Sequence, residues 1–245
     1  MRFLRHEGYC IAMAVLDKKY VLIDLDDTLF DFGKGETKAL KKLFKYYGIS
    51  FNEENVRTYK RINLSYWEKL ERKEMTKDEI LVNRFVEFFD LVGVTNYDPV
   101  KANKMFLDSL SLKGYYMKGA IRTLKYLKKK GYIVYLISNG IEYVQKGRLN
   151  SKKKVLKYLD EIFLSDSIGY TKPDPGFIDY ILKDQNLSDI NKKEMVIVGD
   201  SLTSDILLGK KTGIDTIWFN HKNKDFEDVV PYYIIFKLFE LNKIL

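Results

Sequence analysis

The chain has one cysteine and two histidines in 245 residues. Cys10 has no partner within the sequence, which excludes an internal disulfide and is consistent with a reducing compartment. His6 and His221 are far apart in the sequence and neither lies in a ligand-like cluster, which argues against a zinc site. No apolar run approaches the roughly 18–20 residues needed to cross a bilayer. The first residues, with Arg2, Arg5, His6 and Glu7, hold no long apolar stretch and no secretory cleavage pattern. Internal repeats and low-complexity linkers are also absent. These absences leave an ordinary globular protein, expected in the cytoplasm, with residues 1–18 as an N-terminal tail.

Hydrophobic residues make up 46% of the chain and charged residues 31%, as in a globular protein with a substantial core. The formal net charge is +8. Its lysines are dispersed as Lys41-Lys42, Lys128 to Lys130, Lys152 to Lys154 and Lys192-Lys193, mostly on the polar sides of helical patterns. That distribution reads as a solvated surface and not as a nucleic-acid-binding face. Such a charge still favours the approach of phosphorylated substrates.

One stretch concentrates chemistry. Val21-Leu22-Ile23 has the composition of a buried strand, and Asp24-Leu25-Asp26-Asp27-Thr28-Leu29 follows it. Acids at the end of a strand stand at its carboxyl edge, where ligands bind in parallel sheets. Burying several carboxylates together is costly unless hydrogen bonds or a cation compensate. Mg²⁺, which takes one or two carboxylates plus a substrate phosphate, is the simplest compensation. The alternative at this point is a strand followed by an acidic turn.

From Phe32-Gly33 onward the spacing becomes helical. Ala39, Leu40, Leu43, Phe44 and Tyr47 predict a first helix that ends at Gly48. Asn52 predicts the N-cap of a second, with the stripe Val56, Tyr59, Ile62, Tyr66, Trp67 and Leu70 interrupted by Asn63. Thr76 and Glu79 form a capping box for a third, carrying Leu81, Phe85, Phe88, Phe89 and Val92. Asp98-Pro99 opens a fourth with Ala102, Met105, Phe106 and Leu110. Four helices with short links predict a bundle over residues 33–112, inserted where it covers the acidic edge as a lid. Most of its aromatics read as bundle core. Asn63 and Arg84 are polar on or beside apolar faces, and Trp67 could stack on a ring, so these three are candidates for substrate selection, together with Phe32.

The remainder alternates strands with helices. Tyr132 to Ile137 is a near-continuous apolar run ending in Ser138-Asn139-Gly140, which is either a phosphate-binding turn or an ordinary one. Pro173 and Pro175 fix the backbone around Lys172, which reads as a phosphate-binding lysine or a solvated one. Met195 to Val198 ends in Gly199-Asp200, with Asp205 five residues on. Asp215 to Phe219 forms a further strand, Tyr233 to Ile235 a short edge strand, and Phe236 to Leu241 a last helix. The prediction is an α/β fold with a Rossmann-like parallel sheet. Three strands that each deliver polar groups at their carboxyl ends point to a site and not to independent turns. The core spans 19–32 and 113–245.

Together, Asp24-Leu25-Asp26-Asp27-Thr28, Ser138, Lys172 and Gly199-Asp200 with Asp205 resemble the motifs of the haloacid dehalogenase-like (HAD) hydrolase superfamily, in its order. The helical insert resembles that superfamily's first cap type. The fuller strings Asp26 to Phe32, Ile137 to Gly140, Gly169 to Gly176 and Gly199 to Ile206 are similar to its noncanonical pyrimidine 5′-nucleotidase branch. In that branch, as here, an acid (Asp27) stands where glycine is common elsewhere.

The resemblance implies a Mg²⁺-dependent phosphatase. Asp24 would be the nucleophile and Asp26 the general acid and base. Asp24, the Asp26 carbonyl and Asp200 would hold the metal, with Asp205 supporting them. Thr28, Ser138, Asn139 and Lys172 would bind phosphate. The expected substrate is a pyrimidine nucleoside monophosphate. A sugar phosphate or another small phosphometabolite, a phosphomutase reaction, or a non-catalytic binding role are the alternatives. No nucleic-acid or membrane partner is expected, and monomer and homodimer stay open.

Overall fold

The computed structural model describes residues 3–6, 9–12, 16–225 and 228–245. Two short antiparallel strands come first, β1 (Phe3–His6) and β2 (Tyr9–Ala12), in the region expected to be a tail. β3 (Tyr20–Asp24) follows, with Val21, Leu22 and Ile23 fully buried. Four helices come next: α1 (Phe32–Tyr47), α2 (Glu53–Glu71), α3 (Lys77–Leu91) and α4 (Pro99–Ser111). Then come α5 (Ala120–Lys129), β4 (Ile133–Ser138), α6 (Glu142–Asn150), β5 (Glu161–Leu164) and the single turn α7 (Ser165–Ile168). The chain continues with α8 (Gly176–Asp184), β6 (Met195–Gly199), α9 (Leu207–Thr212), β7 (Asp215–Phe219) and β8 (Tyr233–Ile235). The closing segment is a 3₁₀ helix, Leu238–Lys243, shifted two residues from the helix expected over Phe236 to Leu241. Among the described residues no helix is long and apolar enough to cross a membrane.

β3 to β8 form one six-stranded sheet in the order β5-β4-β3-β6-β7-β8, every neighbouring pair parallel. The order reverses at β3, which has β4 on one side and β6 on the other. At such a switch point the connections leave in opposite directions and open a crevice at the carboxyl ends of the strands. Asp24 pairs in register with Ile137, so Asp24 and Ser138 end neighbouring strands. Near-continuous apolar strands mark a sheet covered on both faces. One such layer packs Leu22, Ile137 and Ile197 against Phe177, Ile178, Ile181 and Leu208.

The chain divides into two compact units. The sheet unit comprises Met1–Asp31, Tyr116–Glu142 and Lys153–Leu245. The helical unit comprises Phe32–Tyr115 and Tyr143–Lys152, so it takes most of α6 as well as α1 to α4. A side chain at Gly147 would meet the Ser111 carbonyl at 2.7 Å, which is why α6 can lie so close to the end of α4. Ser151 Oγ accepts from the Gly114 amide at 2.8 Å, closing the same corner.

Capping explains the helix boundaries. Asn52 accepts from the Asn55 amide at 2.8 Å, the Thr76–Glu79 capping box is reciprocal, and Asp98 accepts from Val100 and Lys101. Tyr59, Phe85, Phe88, Phe89 and Phe106 fill the interior of the helical unit as an aromatic cluster.

Candidate active site

The loop after β3 is a tight turn. The Leu29 and Phe30 amides donate back to the Leu25 carbonyl at 2.9 and 2.7 Å, and the Asp27 amide donates to the Phe30 carbonyl at 2.7 Å. The turn needs a left-handed residue at Asp27, whose φ is +56°. Asp is among the few side chains that tolerate that region. Thr28 is fully buried, and its hydroxyl has no hydrogen-bond partner among the described residues.

Lys172 is the centre of the site. It is 1% exposed, so the reading of a solvated lysine fails. Its Nζ donates to Asp24 Oδ1 at 2.8 Å, to Asp205 Oδ1 at 2.6 Å and to the Ile137 carbonyl at 3.3 Å. Burial works against its charge, but the two carboxylates outweigh that effect and hold its pKa above the ordinary value.

Asn139 fixes the backbone of Lys172 from both sides. Its Oδ1 accepts from the Lys172 amide and its Nδ2 donates to the Lys172 carbonyl, each at 2.8 Å. The side chain is therefore spent on positioning the lysine, a use that reading Asn139 as a phosphate ligand does not supply. Ser138 Oγ accepts from the Gly140 amide at 3.2 Å, and Ser165 Oγ donates to the Asn139 carbonyl at 3.2 Å.

Asp205 comes from a π-helical turn, Leu202–Ile206, that leads into α9. It is 1% exposed, and its Oδ2 accepts from the Ser201 amide at 3.2 Å. A β-carbon at Gly199 would fall 2.1 Å from Asp205 Oδ2, so glycine at the end of β6 is what lets the carboxylate in. Asp200 follows immediately. Its carbonyl accepts from Trp218 Nε1 of β7 at 2.9 Å.

Asp24, Asp200 and Asp205 each offer a carboxylate oxygen within 4.8 Å of the others. Burial pushes Asp24 up to about 8; Lys172 opposes this, and Asp205 and Asp26 add to it. Burial and the neighbouring Asp27, Asp24 and Asp205 raise Asp200 well above the carboxylate range. The raised values record how costly it is to ionise these acids together without a cation among them. The donors are all hard oxygens. The group therefore fits a hard divalent cation of the Mg²⁺ type.

A second grouping corrects the sequence reading of the histidines. His221 lies with Asp27 and Asp200, one ligand atom of each within 4.8 Å of the others. Its ring stacks on Phe219 at 5.0 Å. Burial and the neighbouring Lys222 lower its pKa below the ordinary value. Lys222 ion-pairs with Asp27 and lies 3.9 Å from Asp200 Oδ2. Sequence reasoning missed His221, Lys222 and Trp218. The available signal was position, since Asn220-His221-Lys222 stands at the carboxyl end of β7 just as the acids do at β3 and β6. The other histidine, His6, has a side chain outside the described residues.

The structure brings Asp24, Asp26, Thr28, Ser138, Asn139, Lys172, Asp200 and Asp205 into the sheet unit, with Asp24 and Ser138 ending β3 and β4 and Asp200 following β6. The other candidates belong to the helical unit. Asn63 is buried, donating to Glu36 Oε1 at 2.9 Å and accepting from Arg84 Nη1 at 2.6 Å. Arg84 is 2% exposed and also donates to Asn103 Oδ1 at 2.8 Å. Both are thus woven into a polar network inside the bundle. Trp67 and Phe32 are half-buried, Phe32 beneath the Arg148 guanidinium at 5.8 Å.

A parallel sheet whose switch point gathers an aspartate nest around a buried lysine defines a hydrolase class. The family model described as "Haloacid dehalogenase-like hydrolase" matches residues 21–219. The chain belongs to that family and is an enzyme of it. It is 32% identical to the pyrimidine 5′-nucleotidase PynA of Streptococcus pneumoniae, over 91% of this chain and 93% of the relative. It is 27% identical to the pyrimidine 5′-nucleotidase YjjG of Escherichia coli, over 92% and 97%. Among solved structures, the magnesium-bound putative HAD-hydrolase YfnB of Bacillus subtilis superposes with a TM-score of 0.84 at 30% identity, covering 93% of this chain and 98% of that one.

Proposed function

We propose that the protein is a Mg²⁺-dependent phosphomonoesterase that hydrolyses pyrimidine nucleoside 5′-monophosphates through an aspartyl-phosphate. The observation that carries the chemistry is the buried ammonium of Lys172, shared at 2.8 and 2.6 Å between Asp24 and Asp205. It fixes an Asp24 oxygen at a strand end where a phosphoryl group would arrive. The substrate class rests on the two pyrimidine 5′-nucleotidases that resemble the chain over nearly its whole length.

In this reading an Asp24 oxygen attacks phosphorus as the bond to the leaving nucleoside oxygen breaks. Asp26 supplies the proton that the leaving oxygen takes. Asp26 then accepts a proton from water, whose oxygen attacks the phosphoryl group, releasing phosphate and restoring the Asp24 carboxylate. Splitting one displacement into two lowers each barrier, and general acid–base help is typically worth ~10²–10⁴-fold. Lys172 binds phosphoryl oxygen, kept in place by Asn139 and Asp205. Ser138, the Thr28 hydroxyl and the backbone amide of Asn139 complete the donors. Asp24, the Asp26 carbonyl and Asp200 would hold Mg²⁺, with Asp205 beside them. The ion would neutralise charge on the phosphoryl group and on the nucleophile.

Residues 33–112 act as a cap in this reading. Phe32 and Trp67 have surface to offer a base, whereas Asn63 and Arg84 select substrate by fixing the bundle interior. The test is phosphate release with Mg²⁺ from UMP, dUMP, dTMP, purine monophosphates, sugar phosphates and FMN, with Asp24→Asn as control. Pyrimidine preference is the expected result. Turnover confined to sugar phosphates would keep the chemistry and overturn the substrate. Isomerisation without phosphate release would make it a mutase.

A further inference from the structure

Asp200 belongs to two groupings at once, with Asp24 and Asp205 on one side and with Asp27 and His221 on the other. Each side has its own lysine. Lys172 pairs with Asp24 and Asp205, deep in the sheet unit. Lys222 pairs with Asp27 and stands 3.9 Å from Asp200 Oδ2, with 43% of its side chain exposed. The second lysine comes from the segment after β7 and takes no part in the phosphoryl-transfer steps.

Asp27 occupies a left-handed backbone position, at φ +56°, that glycine would fill without strain. A carboxylate there has an electrostatic consequence. It fixes the Lys222 ammonium beside Asp200. A positive charge this close to a carboxylate competes with a dication for that carboxylate and repels the dication directly. Partial exposure makes the effect moderate and sensitive to salt.

We propose that Lys222 is a positioning cation of the metal site. Held by Asp27, it partly neutralises Asp200 and weakens Mg²⁺ binding, so that the Asp27–Lys222 pair sets the affinity for the ion. This rests on the Mg²⁺ reading of the Asp24, Asp200 and Asp205 group. The pair therefore tunes metal occupancy from outside the ring of residues that meet the substrate.

The experiment is calorimetric titration of Mg²⁺ into the full chain, without substrate, at two ionic strengths. Lys222→Met is expected to tighten Mg²⁺ binding by roughly three- to tenfold, the scale of a screened charge near the ion. Lys222→Arg restores the wild-type constant, because it keeps the charge. Asp27→Asn, which tolerates the same backbone, is expected to weaken binding by a similar factor. It removes a negative charge near the ion and leaves the charge of Lys222 uncompensated beside Asp200. The double variant returns towards wild type, and the difference between wild type and Lys222→Met shrinks at high salt. Lys222→Gln serves in place of Lys222→Met should circular dichroism show that the latter does not fold. Unchanged or weaker Mg²⁺ binding in a folded, charge-neutral Lys222 variant overturns the proposal and leaves the metal reading standing. A wild-type chain that takes up no Mg²⁺ overturns the metal reading and this proposal with it.

Discussion

At the scale of single residues, the site depends on atoms packed too closely to be exchanged. Asp24→Asn removes the proposed nucleophile while relieving a buried, crowded carboxylate, so turnover should fall by at least ~10³-fold with no loss in thermal midpoint. Phosphate release and a melting curve on the same sample check both halves; near-wild-type turnover would remove Asp24 from its role. Gly199→Ala is a stricter test of geometry. The new methyl would collide with Asp205, whose other oxygen holds Lys172. Displacing the ammonium by about 1 Å should cost ~10²-fold in kcat. Asn139→Ala should do the same by releasing the backbone of Lys172, with KM for phosphomonoester rising as well. If Asn139→Ala retained full activity, the two 2.8 Å clamps would be incidental.

At the scale of elements, local signals carry far and non-local ones do not. The acids at the end of β3, the apolar run of β4 and the Gly199-Asp200 end of β6 were legible because strands buried on both faces leave polar residues nowhere else to go. The caps at Asn52, Thr76 and Asp98 were legible because they act within three residues. Thr76→Ala should cost about 1 kcal/mol by loss of the box, read as a shift in urea midpoint with unchanged slope. The fate of Asn63 and Arg84 was not legible, because their partners Glu36 and Asn103 lie 27 and 19 residues away. The assignment of α6 to the helical unit hid for the same reason, since nothing local marks Gly147 as a contact point for Ser111. Arg84→Met tests what the network does. Removing the guanidinium leaves the Asn63 and Asn103 side-chain oxygens without their donor, while Glu36 keeps Lys60 at 3.7 Å, and should destabilise the chain by roughly 1–3 kcal/mol. A stable variant with altered KM alone would instead assign Arg84 directly to substrate.

At the scale of the whole molecule, the acid nest links folding to protons and, in the proposed reading, to Mg²⁺. Asp24 is raised from 3.8 to about 8 and Asp200 is raised in the same direction, chiefly by burial. Between about pH 4 and 8 the folded chain therefore holds protons that the unfolded chain has released. Stability rises with pH only where the unfolded state binds more protons, so these two acids reverse the sign and their contribution is lost as pH rises through that window, opposed by the lowered imidazole of His221. Lys172 does not offset the trend. Its raised pKa contributes stability that is fully present below the ordinary lysine range, above the window in which the acids titrate. In the proposed reading Mg²⁺ and protons compete for the same carboxylates, so the ion should bind more tightly at the alkaline end. At about a hundred times its dissociation constant it would add about 2.7 kcal/mol, or roughly 5–11 °C in Tm for a chain of this size. Melting curves with and without Mg²⁺ across that range decide the matter. The expected result is a metal-free Tm that falls towards pH 8 and a Mg²⁺-induced rise that grows towards it. A Mg²⁺ effect of the same size at both ends would mean that the ion binds somewhere other than the buried aspartates.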